Sequence, residues 1–338
     1  MIAGIGGASL GTEIFKCLRD AGNYNIFGCD ISAFAYGHYQ EGFAGTFTLK
    51  PESYVDEVLA LCRAKGIRAV IPGGEGPLTL LNSALQVFQN EGIQVASNSR
   101  EVVEVCSDKK RQFEHLRDLG LPVPASVVVK HASEVDLCGE LPLPCIVKPT
   151  TGTGGSSMTF LASTHEHMVL YVKFLLSNSK TALVQEYLPE DEGEFTVGVL
   201  SLPGIGVVGS IAMQRLFHAK LSVALKTETG LISSGYSQGL IDDFPQIRRD
   251  AEEIARAINS TGPINIQGRV CRGTLIPFEI NPRFSASTYL RTLAGFNEID
   301  VYLRYVLYGE QSPKVSIRPG YYLRSLDQLM IDKNEVVK

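Results

Sequence analysis

Four polar residues late in the chain, Gln267, Glu279, Asn281 and Arg283, are spaced so that one hairpin could gather them. In Ile264-Asn265-Ile266-Gln267 and Ile276-Pro277-Phe278-Glu279-Ile280-Asn281, period-two alternation puts the isoleucines and Phe278 on one face. Gln267, Glu279 and Asn281 then share the other face, and Gly273 between the two runs marks the turn. Carboxylate and amide oxygens are hard donors suited to Mg2+, an ion that keeps several waters and shares its shell with substrate phosphates. Arg283, with its planar fork of donors, would meet a phosphate oxygen beside them. Taken alone, the segment reads just as well as an ordinary half-buried hairpin with a solvated polar face.

A second stretch with chemical potential runs Leu143-Pro144-Cys145-Ile146-Val147-Lys148-Pro149-Thr150-Thr151-Gly152-Thr153-Gly154-Gly155-Ser156-Ser157. A short apolar strand delivers Lys148, and a glycine-rich loop with hydroxyl residues follows. Successive backbone N–H groups of such a loop can cradle phosphate oxygens while the lysine supplies a point charge. It is not a Walker A loop, because no Gly-Lys-Ser or Gly-Lys-Thr closes it; a plain surface turn is the alternative. Further on, the apolar strand Ala182-Leu183-Val184-Gln185-Glu186-Tyr187-Leu188 runs into a polar linker ending at Glu194. Backbone groups at such a junction can read an adenine edge, and a carboxylate just beyond can take ribose hydroxyls.

The elements that must position these residues follow from the punctuation of the chain. The first hundred residues alternate strand and helix signals, which implies a parallel sheet with covering helices. Its glycine turn, Gly4-x-Gly6-x-x-Ser9 with Asp30 at the next strand end, invites a dinucleotide reading. The third glycine is missing, with Gly11 two places late, and that reading is set aside. A helix opens at Ser107-Asp108-Lys109 and stops before Gly120 and Pro122, and an extended segment from Pro122 enters a second α/β unit. The last third holds the hairpin, a helix from Glu298 to Tyr308 and a final strand near Tyr321 to Arg324.

Composition narrows the class of protein. A chain of 338 residues usually divides into two or three domains. A net charge of -5 argues against a main task of holding nucleic acid or an anionic membrane, and no apolar run is long enough to span a bilayer. Seven scattered cysteines without a C-x-x-C pair suit reduced thiols, and the apolar start lacks the basic region of a signal peptide, so a cytoplasmic protein is expected. His165-Glu166-His167 lacks the spacing of a zinc helix and reads as a surface feature.

The order of these features resembles the ATP-grasp superfamily from residue 1 to about residue 325: Asp108-Lys109, then Lys148 with its glycine loop, then Gln185 to Leu188 with Glu194, then Gln267 and Glu279-Ile280-Asn281-Pro282-Arg283. Within it the chain is most similar to single-copy proteins of the carbamoyl phosphate synthase large-subunit group. The resemblance implies an α/β ATP-grasp fold: a parallel-sheet domain over residues 1–105, a lid with the glycine loop over 106–195, and a metal and acceptor subdomain over 196–338. It makes Lys109 and Lys148 phosphate-side cations, and Thr153, Gly154, Gly155, Ser156 and Ser157 part of a loop closing over the triphosphate of ATP. Gln185, Glu186, Tyr187 and Leu188 become the adenine hinge and Glu194 the ribose acceptor. Gln267, Glu279 and Asn281 become ligands of Mg2+, for which Mn2+ could substitute. Gln267 stands where many relatives carry an acid, which lowers the local charge.

The activity this resemblance implies is ATP-dependent joining of a small carboxylate to an amine through an acyl phosphate, in an enzyme that could be a homodimer. Arg283 and Lys148 would steady the transferred phosphoryl group. Arg215, Lys226, Arg291 and Arg324 are the candidate carboxylate partners and Glu75 a candidate ammonium partner, with an ordinary surface ion pair the alternative for each. Two rival readings stay open: carbamoyl phosphate synthase-like activation of bicarbonate, and a nucleotide-binding regulatory protein without catalysis.

Overall fold

The computed structural model describes residues 1–152, 156–311 and 315–337. The chain opens with a parallel sheet, β1 (Ile2–Ala3), β2 (Phe27–Asp30), β3 (Gly45–Thr48), β4 (Ala69–Pro72) and β5 (Gln94–Val95), in the order β3-β2-β1-β4-β5. Helices α1 (Leu10–Ala21), α2 (Tyr54–Lys65), α3 (Glu75–Ser83) and α4 (Leu85–Asn90) connect its strands, as the alternating signals required. Both Asp30 oxygens brace the glycine turn and the strand end, accepting from the Ile5 and Ser32 amides at 2.8 and 3.0 Å.

Helices α5 (Arg100–Cys106) and α6 (Lys109–Asp118) come next, and the Asp108 side chain caps α6 by accepting from the Lys110 and Arg111 amides. A four-stranded sheet, ordered β6-β9-β7-β8, follows from β6 (Ser126–Val129), β7 (Cys145–Pro149), β8 (Phe160–Ala162) and β9 (Ala182–Glu186), with α7 (His165–Ser177) packed on it. Val102, Cys106 and Leu116 belong to the core of the next sheet, so α5 and α6 pack there and not on the four-stranded sheet.

That next sheet is antiparallel throughout and ordered β16-β15-β10-β11-β14-β17. Its strands are β10 (Glu194–Leu202), β11 (Gly206–Arg215), β14 (Gly239–Asp242), β15 (Pro263–Cys271), β16 (Thr274–Asn281) and β17 (Gly320–Tyr322). A separate hairpin, β12 (Val223–Lys226) and β13 (Leu231–Ser233), projects between β11 and β14. Helix α8 (Pro245–Ala257) covers one face of the large sheet, while α9 (Thr288–Leu293) and α10 (Glu298–Tyr308) follow the β15–β16 hairpin. None of the helices among the described residues is long and apolar enough to cross a membrane.

Period-two alternation sorts the two faces of β10 and β15. Phe195, Val197, Val199, Ile264 and Ile266 enter the core under α8. Glu194, Thr196, Asn265, Gln267 and Arg269 take the opposite side as one polar stripe. The β15–β16 turn forms at Arg272-Gly273, both at positive φ (54° and 76°), the geometry of a tight hairpin. Strict alternation fails in β16, however. A bulge pairs Gln267 with Glu279 but Gly268 with Pro277, leaving Phe278 as the extra residue. Phe278 and Ile276 therefore do not share the face of Ile280, as alternation predicted; Leu275 and Ile280 enter the core instead. Gly268 permits this close pairing, since a Cβ there would stand 2.6 Å from the Ile276 carbonyl oxygen.

One buried side chain joins the first sheet to the last. Asn98 Nδ2 donates to the carbonyls of Pro263 and Pro282 at 2.7 and 3.3 Å. Its Oδ1 accepts from Ser260 Oγ, the Thr261 amide and the Gly262 amide at 2.9, 3.0 and 3.0 Å.

Candidate functional site

A cleft opens between the four-stranded sheet and the polar stripe, lined by residues of both. In β7, Cys145 and Val147 pack beneath α7 while Ile146 and Lys148 face the cleft; in β9, Val184 is core and Gln185 lines the cleft. Alternation thus delivers Lys148 and Gln185 to one wall. Lys148 Nζ donates to the Phe278 carbonyl at 3.2 Å and lies 5.8 and 5.9 Å from the ring centres of Phe113 and Phe278. Burial lowers its pKa to about 7, the Lys109 charge adds to the fall, and Glu279 opposes it. A buried lysine whose hydrogen-bond partner among the described residues is one carbonyl is placed to take an anionic ligand.

The opposite wall carries the hairpin. Gln267 stands directly across from Glu279, and Asn265 across from Asn281. Arg283 Nη2 donates to Asn281 Oδ1 at 3.3 Å and to Glu75 Oε1 at 3.2 Å, so Glu75 and Arg283 form an ion pair at the edge of the site. Lys109 and Glu279 line the same cleft as Lys148. Among the described residues no three His, Cys, Asp or Glu side chains cluster as a metal cage. A divalent ion at this hairpin would have one carboxylate and two amide oxygens, a set that suits Mg2+ with phosphate and water completing the shell.

The remaining expected positions divide. Tyr187 and Leu188 line the cleft with Gln185, but Glu186 turns away, its carboxylate accepting from the Ala125 amide at 3.0 Å. Ser156 lines the cleft and its hydroxyl donates to the Ser233 carbonyl at 2.7 Å. Ser157 follows it in the loop, and Thr153, Gly154 and Gly155 lie outside the described residues. Glu194 lines the cleft too, yet both its oxygens are engaged, one by Arg215 at 3.2 Å and the other by Arg269 at 2.9 Å.

The arginines expected to meet a substrate carboxylate are mostly occupied. Arg215 is buried, and its second nitrogen donates to the carbonyls of Ser222, Ser234 and Tyr236, anchoring the root of the β12–β13 hairpin. Burial lowers its pKa, and Glu194 counteracts that. Arg324 pairs with Glu13 at 3.3 Å and donates to the Ala286 carbonyl. Arg291 is the clearest correction: at 1% exposure it is core, held by Glu298 at 3.4 Å, Thr196 at 3.1 Å and Asn265 at 2.6 Å. Lys226 is exposed on β12.

Sequence reasoning missed Arg269 and Phe278. Arg269 holds Glu194, donates to the carbonyls of Leu188 and Leu231 at 2.5 and 2.8 Å, and lies 4.8 Å from the Tyr187 ring centre. The signal was available, because Arg269 follows Gln267 by two positions on the same strand face. Tyr187 in turn accepts from the Leu231 amide at 2.8 Å, which ties the hinge to β13. Phe278 enters the cleft only through the bulge.

Comparisons with known proteins agree with this geometry. Residues 178–329 match a family model described as ATP-grasp in the biosynthetic pathway with Ter operon. The chain is 26% identical over 235 residues to the carbamoyl phosphate synthase large chain of Neisseria meningitidis serogroup B, covering 68% of this chain and 21% of that protein. It is 27% identical over 236 residues to the large chain of Pasteurella multocida, with the same coverage. The match thus spans about a fifth of the length of these curated relatives. Among solved structures, an L-amino acid ligase from Bacillus licheniformis aligns with TM-score 0.69 at 16% identity, over 94% of this chain and 76% of that one. The N5-carboxyaminoimidazole synthetase of Staphylococcus aureus complexed with ADP aligns with TM-score 0.67 at 17% identity, over 94% and 79%. The chain thus shares the ATP-grasp fold of these solved structures, and residues 178–329, a little under half of it, match an ATP-grasp family model.

Proposed function

We propose that this protein is an ATP- and Mg2+-dependent ligase that joins a small carboxylate to an amine through an acyl phosphate, releasing ADP and phosphate. The observation that carries the reading is that Lys148 and Glu279 line one cleft, with Gln267 paired across from Glu279 on the adjoining hairpin and Arg283 bonded to Asn281 at its end. A carboxylate is a poor electrophile toward amines because its leaving group would be an oxide ion. Transfer of the γ-phosphoryl group to a carboxylate oxygen replaces that leaving group with phosphate. The amine nitrogen then forms the new bond to the acyl carbon as phosphate departs, and the nitrogen loses its proton.

Gln267, Glu279 and Asn281 would hold Mg2+, which supplies charge neutralisation at the phosphoryl oxygens. Lys148 and Lys109 would hold phosphates, and Arg283 would meet the group in transfer. Gln185, Tyr187 and Leu188 would flank the base. For Glu194 the reading predicts a shared role, since its two arginines fix the carboxylate beside the sugar position.

The test is to supply ATP, Mg2+ and a panel of small carboxylates with hydroxylamine in place of the amine. The expected result is a hydroxamate with ADP. AMP with pyrophosphate would replace the reading with an adenylating enzyme, and ADP with a phosphorylated alcohol would replace it with a kinase.

A further inference from the structure

Helix α7 carries apolar side chains on two faces. Met168, Val172 and Leu175 enter the core against the four-stranded sheet. The 3.6-residue period turns Leu170 and Phe174, one turn apart, to the opposite side. They are 60% and 45% exposed, and among the described residues no other α-helix exposes two large apolar side chains.

A cluster of rings continues this face onto the sheet. Phe160, on the edge strand β8, stacks on Tyr171 with 4.6 Å between ring centres and meets Phe174 edge-on at 5.6 Å. His167 lies 6.2 Å from the Tyr171 ring. Rings already packed on one another lose little freedom on docking, and aromatic side chains are enriched where protein surfaces meet.

The charges beside the patch indicate what covers it. Glu166 and Lys173 are both exposed and stand two turns apart on one flank of the apolar stripe, with Leu170 close to midway between them. A two-fold axis beside Leu170 would lay two copies of α7 antiparallel. Matching flanks meet in such a pair, so Glu166 of each copy would face Lys173 of the other. One symmetry operation covers the apolar centre and pairs all four charges. We propose that the Leu170–Phe174 face of α7 is a homodimer interface, formed by antiparallel pairing of α7 from two copies of the chain. The proposal goes beyond the ligase reading and does not depend on it. Because Cys145, Val147 and Val184 pack beneath α7, the contact joins the walls that carry Lys148 and Gln185 in two copies. One helix pair with its ring cluster makes a small interface, so the dimer is of the weak, concentration-dependent kind.

Sedimentation equilibrium of the full chain, from micromolar to millimolar concentration, should show a monomer–dimer equilibrium. Leu170→Asp should abolish the dimer and leave the circular dichroism unchanged, since the position is exposed. Glu166→Lys and Lys173→Glu each set like charges against one another twice by symmetry, and either alone should weaken the dimer about tenfold. An equal mixture of these two variants should recover wild-type association as a heterodimer, because each copy then supplies the charges the other lacks. That recovery separates pairing from any loss of helix stability in one variant. A wild type that stays monomeric across the range, a dimer indifferent to Leu170→Asp, or a mixture no tighter than either charge variant alone would each overturn the proposal.

Discussion

The polar stripe across β10 and β15 ends in two places built from similar residues. At one end Arg291, Glu298, Thr196 and Asn265 bond one another out of solvent, with Arg291 Nε left without a partner among the described residues. At the other, among the described residues, Lys148 bonds one carbonyl and the Gln185 side-chain oxygen has no partner, in residues that line an open cleft. The closed end exists because Gly198 has no side chain: a Cβ there would fall 2.3 Å from both Arg291 Nη1 and Glu298 Oε1. Charge in this fold is structural where the protein supplies an opposite charge and several partners, and available for chemistry where it supplies few.

Arg291→Ala breaks the closed end most severely, since it strands Glu298 at 1% exposure. Chemical denaturation should show a loss of about 3 to 5 kcal/mol, whereas the paired change Arg291→Met with Glu298→Leu should recover much of it. A single variant as stable as wild type would erase the distinction between the two ends. At the open end the same kind of change should spare the fold and remove activity. Glu279→Gln takes the one negative charge from the metal set at nearly constant volume, and turnover should fall by about 10² to 10³, as for loss of a transition-state contact. Normal turnover at ordinary Mg2+ would dismiss the hairpin as a metal site.

Lys148→Ala should cost about 1.5 to 3 kcal/mol in affinity for a non-hydrolysable ATP analogue with Mg2+, read by calorimetry. Wild-type affinity would mean that Lys148 does not touch the nucleotide. The smallest effect is on protons. With its pKa lowered to about 7 by burial, Lys148 is largely neutral at pH 8 in the free protein, and phosphate would restore its charge. Nucleotide binding at pH 8 should therefore take up nearly one proton, and affinity should decline as pH rises through 7; calorimetry in buffers of different ionisation enthalpy measures both. For folding the sign is opposite. The unfolded lysine, with its ordinary value of 10.5, binds more protons between pH 7 and 10.5, so this residue's contribution to stability improves as pH rises across that window. Absence of proton uptake in the wild type would show that the ammonium is already charged before ATP arrives.

Much of the open end was legible in the chain because local rules govern it. Gly273 marked the turn, and alternation within each strand put Gln267 and Glu279 on the polar face, although it is the Phe278 bulge that sets them opposite each other. Helix α10 also falls at the residues its pattern indicated, Glu298–Tyr308. The misreadings share a physical origin. The Phe278 bulge shifts alternation by one residue, which hydrophobic spacing alone does not register. Arg291 looked like a surface cation because the groups that bury it, Thr196, Asn265 and Glu298, come from three separate segments. Gln112 carries no motif at all; its side-chain oxygen accepts from the Ile280 amide, 168 positions away.

The Asn98 joint has a mechanical consequence. Five hydrogen bonds from one side chain weld the end of the parallel sheet to the ends of β15 and β16, so neither body can rotate against the other without breaking several bonds at once. Among the described residues the four-stranded sheet is tied across the cleft by contacts spread over several side chains, among them Lys148 to the Phe278 carbonyl, Ser156 to the Ser233 carbonyl and Arg269 to the Leu188 carbonyl. These can break one at a time, whereas turning the parallel sheet against β15 and β16 would break the five Asn98 bonds together.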